Sequence, residues 1–209
     1  DRDISINGDD IMANTGVDGM AGTADDGPVN IIFNADRDQG ANPGGGIALL
    51  LTDIQTLGGN FIAGGGSNAD ADSDGIQADE GRALGQGAQE EGIVLVGATI
   101  NTRSGNIELR GEGNSTLSAN SRTGVRILSN PVRLETTSGA IILEGRGGSN
   151  NNNNFVDGVG ITQDDHVITT QTGAITIDGT GGPSQNNNSI GVRLRDGLHA
   201  LERLVQSVI

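Results

Sequence analysis

The residues best suited to chemistry form an acidic run, Asp70-Ala-Asp72-Ser-Asp74-Gly75, which Asp79 and Glu80 follow. Carboxylates at alternate positions before a Gly turn can converge on one hard cation, and Ca²⁺ takes about six to eight oxygen ligands. An EF-hand loop has Glu at its twelfth position, where this chain has Gly81, so the run is not an EF-hand. We predict a calcium site formed by Asp70, Asp72, Asp74, Asp79 and Glu80. The alternative is a solvated acidic loop that binds no metal.

A second group that invites a chemical interpretation is Asp164-Asp165-His166. Inverting glycoside hydrolysis needs two carboxylates placed across a sugar, whereas adjacent aspartates at a corner of the chain are more simply a turn. Sugar sites also commonly stack on aromatic rings, and this chain has three Phe, no Trp and no Tyr. We therefore predict that the protein is not an enzyme, and a polysaccharide-cleaving activity is the least favoured alternative.

Composition and charge exclude several functional classes. The net charge is −15, and nucleic-acid binding requires a basic face, so we expect no nucleic-acid partner. With no Cys, the chain can form neither a disulfide nor a thiolate metal site. No apolar run reaches the roughly 18 residues of a membrane helix, so we expect no membrane insertion. The charge is uneven, because residues 1–99 hold 17 acids and 3 Arg (−14) whereas residues 100–209 hold 10 acids and 9 Arg (−1).

The elements that position these groups follow from an internal repeat with a period of 34 residues, which starts at Ile100, Leu134 and Ile168. In each copy a Ser-Gly or Thr-Gly pair separates two short apolar alternations, and a Gly-Val segment follows after a polar loop. Apolar residues alternate with polar ones inside each segment, which is typical of a half-buried strand. Three such strands in a 34-residue unit predict one coil of a parallel β-helix. A helical repeat of the same length needs aromatics, of which the three copies hold only Phe155, and longer runs of helix formers than they contain.

Stacked coils place equivalent residues in rows about 4.8 Å apart. We predict three inward rows, formed by Ile107, Ile141 and Ile175, by Leu109, Leu143 and Ile177, and by Val125, Val159 and Val192. Thr102, Thr136 and Thr170 should also point inward, and Arg110 should lie outside above Glu144.

The predicted architecture is all-β, with about six three-stranded coils and Asn/Gly-rich loops at one corner. Residues 1–197 form one solenoid, which is irregular and acidic over 1–97 and regular over 98–197. Residues 198–209 are a tail. Leu198, Leu201, Leu204, Val205 and Val208 fit a helical stripe, so we expect a short helix that caps the last coil, although a one-residue slip would make Leu201 begin another coil.

The repeat pattern T-x-S-G-x-I-x-L-x-G-x-G, followed by G-V-x-I, resembles the filamentous-haemagglutinin-type repeats of large exported bacterial surface proteins. The stretches Leu57-Gly-Gly-Asn-Phe-Ile62 and Gly64-Gly-Gly66 resemble the cyanobacterial-type members in particular. The resemblance covers most of residues 29–195. It implies a right-handed parallel β-helix, an extracellular or cell-surface location and a structural, adhesive or fibre role, with no catalytic residues to transfer.

These observations lead to one functional expectation and one alternative. We expect an extracellular structural protein, either a segment of a surface adhesin or a self-assembling fibre subunit. Its partners would be copies of itself stacked head to tail, or neighbouring repeats of a longer chain. The alternative is a surface module that binds a cell-surface or matrix glycan, or a protein, through the loops.

Overall fold

A computed structural model describes most of the chain, in segments that share one stacked core. The described residues are 4–8, 10–12, 27–35, 45–65, 78, 80–85, 90–115, 122–149, 156–163, 165–183, 189–195 and 198–202. They form β-strands and turns with no helix, so this part of the chain has no helical segment that could span a bilayer.

Over the described ranges, eighteen strands run in parallel and recur in the order sheet A, sheet B, sheet C. Sheet A contains β1 (Ile4–Asn7), β4 (Ile47–Leu50), β8 (Ile93–Val96), β11 (Val125–Leu128), β14 (Val159–Thr162) and β17 (Val192–Arg195). Sheet B contains β2 (Asp10–Met12), β5 (Asp53–Gln55), β9 (Thr99–Arg103), β12 (Arg133–Thr136), β15 (His166–Thr170) and β18 (Leu198–Glu202). Sheet C contains β3 (Ile31–Ala35), β6 (Phe61–Gly65), β10 (Ile107–Glu112), β13 (Ile141–Arg146) and β16 (Ile175–Thr180), with the short β7 (Ala83–Leu84) beside β10.

The predicted parallel β-solenoid is confirmed, but the expected number of coils is slightly high. Four turns, β4–β6, β8–β10, β11–β13 and β14–β16, are described over their three strands and, apart from residue 164, over the connections between those strands. Strands β1–β3 and β17–β18 extend the sheets at the two ends, where part of the connecting chain lies outside the described residues.

The three inward rows form the core as predicted. Ile107 pairs in register with Ile141, and Ile141 pairs with Ile175, and the other two rows follow the same register. Their members are fully or almost fully buried except Val192, which is half-buried in the outermost coil. At the other end of the core the rings of Phe33 and Phe61 meet edge to face, with centroids 5.5 Å apart. The core is therefore narrow and continuous, and its stability comes from stacking.

The inward threonines close the turns between sheets B and C. The Thr102 hydroxyl donates to the Gly105 carbonyl at 2.6 Å, and the Thr136 hydroxyl donates to the Gly139 carbonyl at 2.8 Å. Each hydroxyl thus satisfies a turn carbonyl three residues ahead, which is why a polar side chain is tolerated inside the core. The predicted inward direction of Thr102, Thr136 and Thr170 is confirmed by their burial.

Sheets C and A converge so closely at one corner that only glycine fits there. A Cβ atom added to Gly145 would lie 2.0 Å from the carbonyl oxygen of Gly158, and one added to Gly111 would lie 2.1 Å from that of Gly124. These contacts recur in every regular coil and explain the Gly at this position of the repeat.

The expected C-terminal helix is wrong over the described part of the tail. Residues Leu198–Glu202 form β18, which pairs in parallel with β15 and aligns Leu201 with Ile168. The register shifts by one residue between His166 and Val167, because Leu198 aligns with the first and Ala200 with the second. The one-residue slip therefore describes this segment, since pairing with an exposed strand edge outweighs the weak stability of a short helix.

Candidate functional site

The predicted calcium site falls largely outside the described residues. Asp70, Asp72, Asp74 and Asp79 lie in the undescribed part of the insertion between β6 and β7. Glu80 is described and half-buried, and it takes part in a polar or electrostatic interaction. Within the described ranges, no three acidic or His side chains are grouped so that they could hold a metal ion. The calcium site therefore stays a prediction.

The loops of the regular coils all leave between a sheet C strand and the next sheet A strand, and their stems are stacked by backbone hydrogen bonds. Gly148 N donates to Arg122 O at 2.9 Å, and Gly182 N donates to Val156 O at 2.8 Å. The tips of these loops, residues 116–121, 150–155 and 184–188, lie outside the described residues. The stems nevertheless establish that the loops leave at one corner, as predicted.

A network of ion pairs covers the outer face of sheet C. Arg110 contacts Glu108 through Nε, and its Nη1 lies 2.9 Å from Glu144 Oε2, which confirms the predicted position of Arg110 above Glu144. Arg82, from the insertion that precedes β7, donates to the same Glu144. Burial, and then the positive charge of Arg146, lower the pKa of Arg82. The network brings together residues up to 62 positions apart, so it ties the insertion to the regular coils.

A more deeply buried ion pair lies at the root of the loops beside sheet A. Arg193 donates to Asp157 through Nε at 2.5 Å and through Nη2 at 2.9 Å, and Ile190 N donates to the same carboxylate at 3.2 Å. The Asp157 side chain is only 3% exposed. The pair is bidentate and more buried than the ion pairs on sheet C, so removal of Arg193 would leave a desolvated carboxylate without its charge partner.

His166 cannot serve as an exposed general base. The side chain is fully buried, Nδ1 accepts a hydrogen bond from Val132 N at 3.1 Å, and Nε2 lies 3.2 Å from Thr162 O. These partners assign the neutral tautomer with its proton on Nε2. The imidazole fills the inward position beside Val132 and satisfies two backbone groups, whereas Asp165 is exposed. Asp164 lies outside the described residues, so the turn interpretation of the aspartate pair stays a prediction.

The outer face of sheet A carries an aliphatic patch that was not predicted from the sequence. We define this aliphatic patch as Leu50, Leu51, Val94, Val96 and Leu128. Leu51 is 57% exposed, and the other four side chains are partly exposed. A signal was available, because Ile47–Leu51 and Ile93–Val96 are unbroken apolar runs, and an unbroken run in a strand makes both faces apolar.

At both ends of the described solenoid the inward rows continue into partly uncovered positions. Ile4 and Ile6 are half-buried, whereas Ile47 and Leu49, their partners one coil further, are fully buried. Leu194 is 46% exposed at the opposite end, whereas Ile161 in the same row is 1% exposed. Each end therefore presents the edge of a parallel sheet together with apolar side chains.

No protein-family model, curated protein or solved structure matches the chain. The resemblance to filamentous-haemagglutinin-type repeats therefore remains a prediction from sequence.

Proposed function

We propose that this protein is an extracellular structural solenoid, either a rod-like segment of a surface adhesin or a subunit of a fibre, which is extended by stacking further coils on its ends. The partly uncovered inward rows carry this proposal. Val192 and Leu194 at one end, and Ile4 and Ile6 at the other, would gain full burial if another parallel coil were placed on each edge.

The added coils can come from either of two sources. In a longer chain they are the neighbouring repeats of the same protein. Between separate copies the contact joins the β17 end of one protein to the β1 end of the next. This contact is heterologous, and repeating it without closure produces a filament.

The fibre form is tested by electron microscopy of the purified protein, with and without a calcium chelator. We expect filaments of uniform width whose length increases with protein concentration, and their loss on chelation would place calcium in the assembly. The variant Leu194→Glu puts a charge into the stacking row and should abolish the filaments. The control Ile32→Glu changes a side chain of similar exposure, 42%, on the outer face of sheet C and should leave them intact.

Isolated short rods at every concentration would contradict the fibre form and favour the adhesin segment. Filaments that persist in Leu194→Glu would contradict stacking through the inward rows.

The stacked loop stems favour a second candidate, a module that binds a surface glycan or protein through the loop corner. Replacing Asn150–Asn154 with a Gly/Ser segment should then abolish retention on the glycan or cell surface while the β-sheet circular dichroism stays unchanged. Retention that survives the replacement would contradict this candidate.

A further inference from the structure

Arg122 is an arginine at the root of the loops, and its buried charge has no partner among the residues that the structure describes. The residue is 2% exposed, and its Nε atom is enclosed and donates no hydrogen bond. The ion pairs over the described ranges use other arginines. A guanidinium keeps its positive charge inside a protein, and a buried charge without a partner is strongly destabilising. We therefore expect an anionic group beside Arg122.

The backbone around Arg122 recurs in the next coil, where the equivalent side chain is apolar. Gly148 N donates to Arg122 O at 2.9 Å, and Gly182 N donates to Val156 O at 2.8 Å. Arg122 and Val156 thus hold equivalent positions in successive coils, and Val156 is fully buried. Because a coil closes with valine at this position, the arginine is not needed to build the corner.

The carboxylates that flank Arg122 in the stacked coils interact with other groups. Glu91, Glu112 and Asp157 each pair with a different arginine. Glu90 holds the position equivalent to Arg122 one coil earlier, where it takes part in another polar or electrostatic interaction. None of these four side chains forms an ion pair with Arg122 in the described part of the chain.

The loops around this corner supply no further negative charge. Residues 86–89, 115–121 and 149–155 include the parts of these loops that lie outside the described residues, and they contain no Asp or Glu. Their sequences therefore offer Arg122 no carboxylate, whatever path the loops follow.

We propose that Arg122 binds a small carboxylate anion at the root of the loops. The two oxygens of a carboxylate match the fork of N–H groups on a guanidinium, and the low exposure of the residue selects a compact ligand. The net charge of −15 repels an extended polyanion, which also favours a single small anion. This site is separate from the ends of the solenoid, so it does not depend on the proposed stacking.

The test compares Arg122→Val with Arg195→Val by equilibrium unfolding in urea, in increasing sodium acetate. Arg195 is exposed in β17, so the two variants have the same net charge and salt screens them equally. We expect acetate to raise the ratio of folded to unfolded Arg195→Val, relative to Arg122→Val, by about 100-fold at 100 times its dissociation constant. Without acetate, Arg122→Val should be the more stable variant, because valine removes the unpaired buried charge.

Identical responses of the two variants to acetate would overturn the proposal. An Arg122→Val variant that is less stable at every acetate concentration would also overturn it, because the guanidinium would then pair with a carboxylate of the chain itself, such as that of Glu90. The wild-type protein serves as the reference and should respond to acetate as Arg195→Val does.

The source of the carboxylate is distinguished by repeating the titration with sodium gluconate, a sugar acid with the same head group. We expect gluconate to act equally on both variants, because the enclosed position excludes it. Selective stabilisation of Arg195→Val by gluconate would overturn the restriction to small anions and assign the site to sugar acids. The contact itself is measured by NMR, in which the Nε–H signal that Arg122→Val lacks should shift on addition of acetate; a signal that stays in place would overturn binding at Arg122.

Discussion

The close contact between sheets C and A makes a sharp prediction for Gly145→Ala. A Cβ atom at Gly145 would lie 2.0 Å from Gly158 O and 2.5 Å from Gly158 C, whereas real Cβ contacts are essentially never under 3.0 Å. The backbone must therefore open by about 1 Å at a fully packed corner. Overpacking of this kind typically costs about 1–3 kcal/mol of folding free energy.

The next coil offers a matched control in Gly160→Ala. A Cβ atom at Gly160 would meet Thr123 Cγ2 at 3.4 Å and Asp157 Oδ2 at 3.9 Å, which are ordinary van der Waals contacts. Both glycines are buried strand residues without a positive φ, and replacing either restricts the unfolded chain to the same degree. That restriction alone stabilises a protein by about 0.4–1 kcal/mol, so Gly160→Ala should be neutral or stabilising.

The measurement is equilibrium unfolding in urea, followed by circular dichroism, for the wild-type protein and both variants. Because the effect on the unfolded chain cancels between the variants, Gly145→Ala should be less stable than Gly160→Ala by about 1–3 kcal/mol. If both alanines raise stability equally, the corner is looser than described, and the explanation for the repeated Gly is wrong.

Four further predictions follow from individual contacts. His166→Ala removes the acceptor for the buried Val132 N and should lower the unfolding free energy by about 1–3 kcal/mol, with partial recovery in His166→Asn; equal losses in both variants would contradict this role. Asparagine side chains form a ladder along one turn of the coils, because the Oδ1 atoms of Asn30, Asn60 and Asn106 each accept from the backbone N of the equivalent residue one coil further, at 2.8, 2.9 and 2.8 Å. Ala140→Asn should offer Ala174 N the same partner and raise stability by about 0.5–1.5 kcal/mol, and an unchanged urea midpoint would refute this role of the ladder. Arg193→Met leaves the buried Asp157 without its bidentate partner and should cost about 3–5 kcal/mol, whereas Arg110→Met on the more exposed network should cost about 0–1 kcal/mol; similar losses would show that burial does not separate the two pairs. Calorimetry should detect Ca²⁺ binding that Asp72→Ala weakens, and the absence of heat or an unchanged variant would remove calcium from the description of the insertion.

Much of the fold was predictable because aligning the copies of the repeat gives the register between strands of adjacent coils. Once Ile107, Ile141 and Ile175 are aligned, the period of two decides which side chains face inward, and the core rows follow. The tail was predicted less well, because Leu198 and Leu201 fit both a helical stripe and a strand with one extra residue. The choice between helix and strand depends on pairing with the exposed edge of β15. The periodicity of the tail itself gives no information about that edge.

The sequence by itself therefore determined the parallel solenoid, its inward rows, the loops at one corner and the position of Arg110 above Glu144. Only the tertiary structure decided which distant residues share the outer surface. Leu50 meets Val96 across a 46-residue separation that includes the long insertion, Asp157 meets Arg193 across 36 residues, and Gly145 closes on Gly158 across a variable loop. The physical reason is that the alternation of apolar and polar residues along a strand specifies whether a side chain points inward or outward. Which residues lie next to it on the outer surface depends on where the chain rejoins the register of the coils after each irregular insertion.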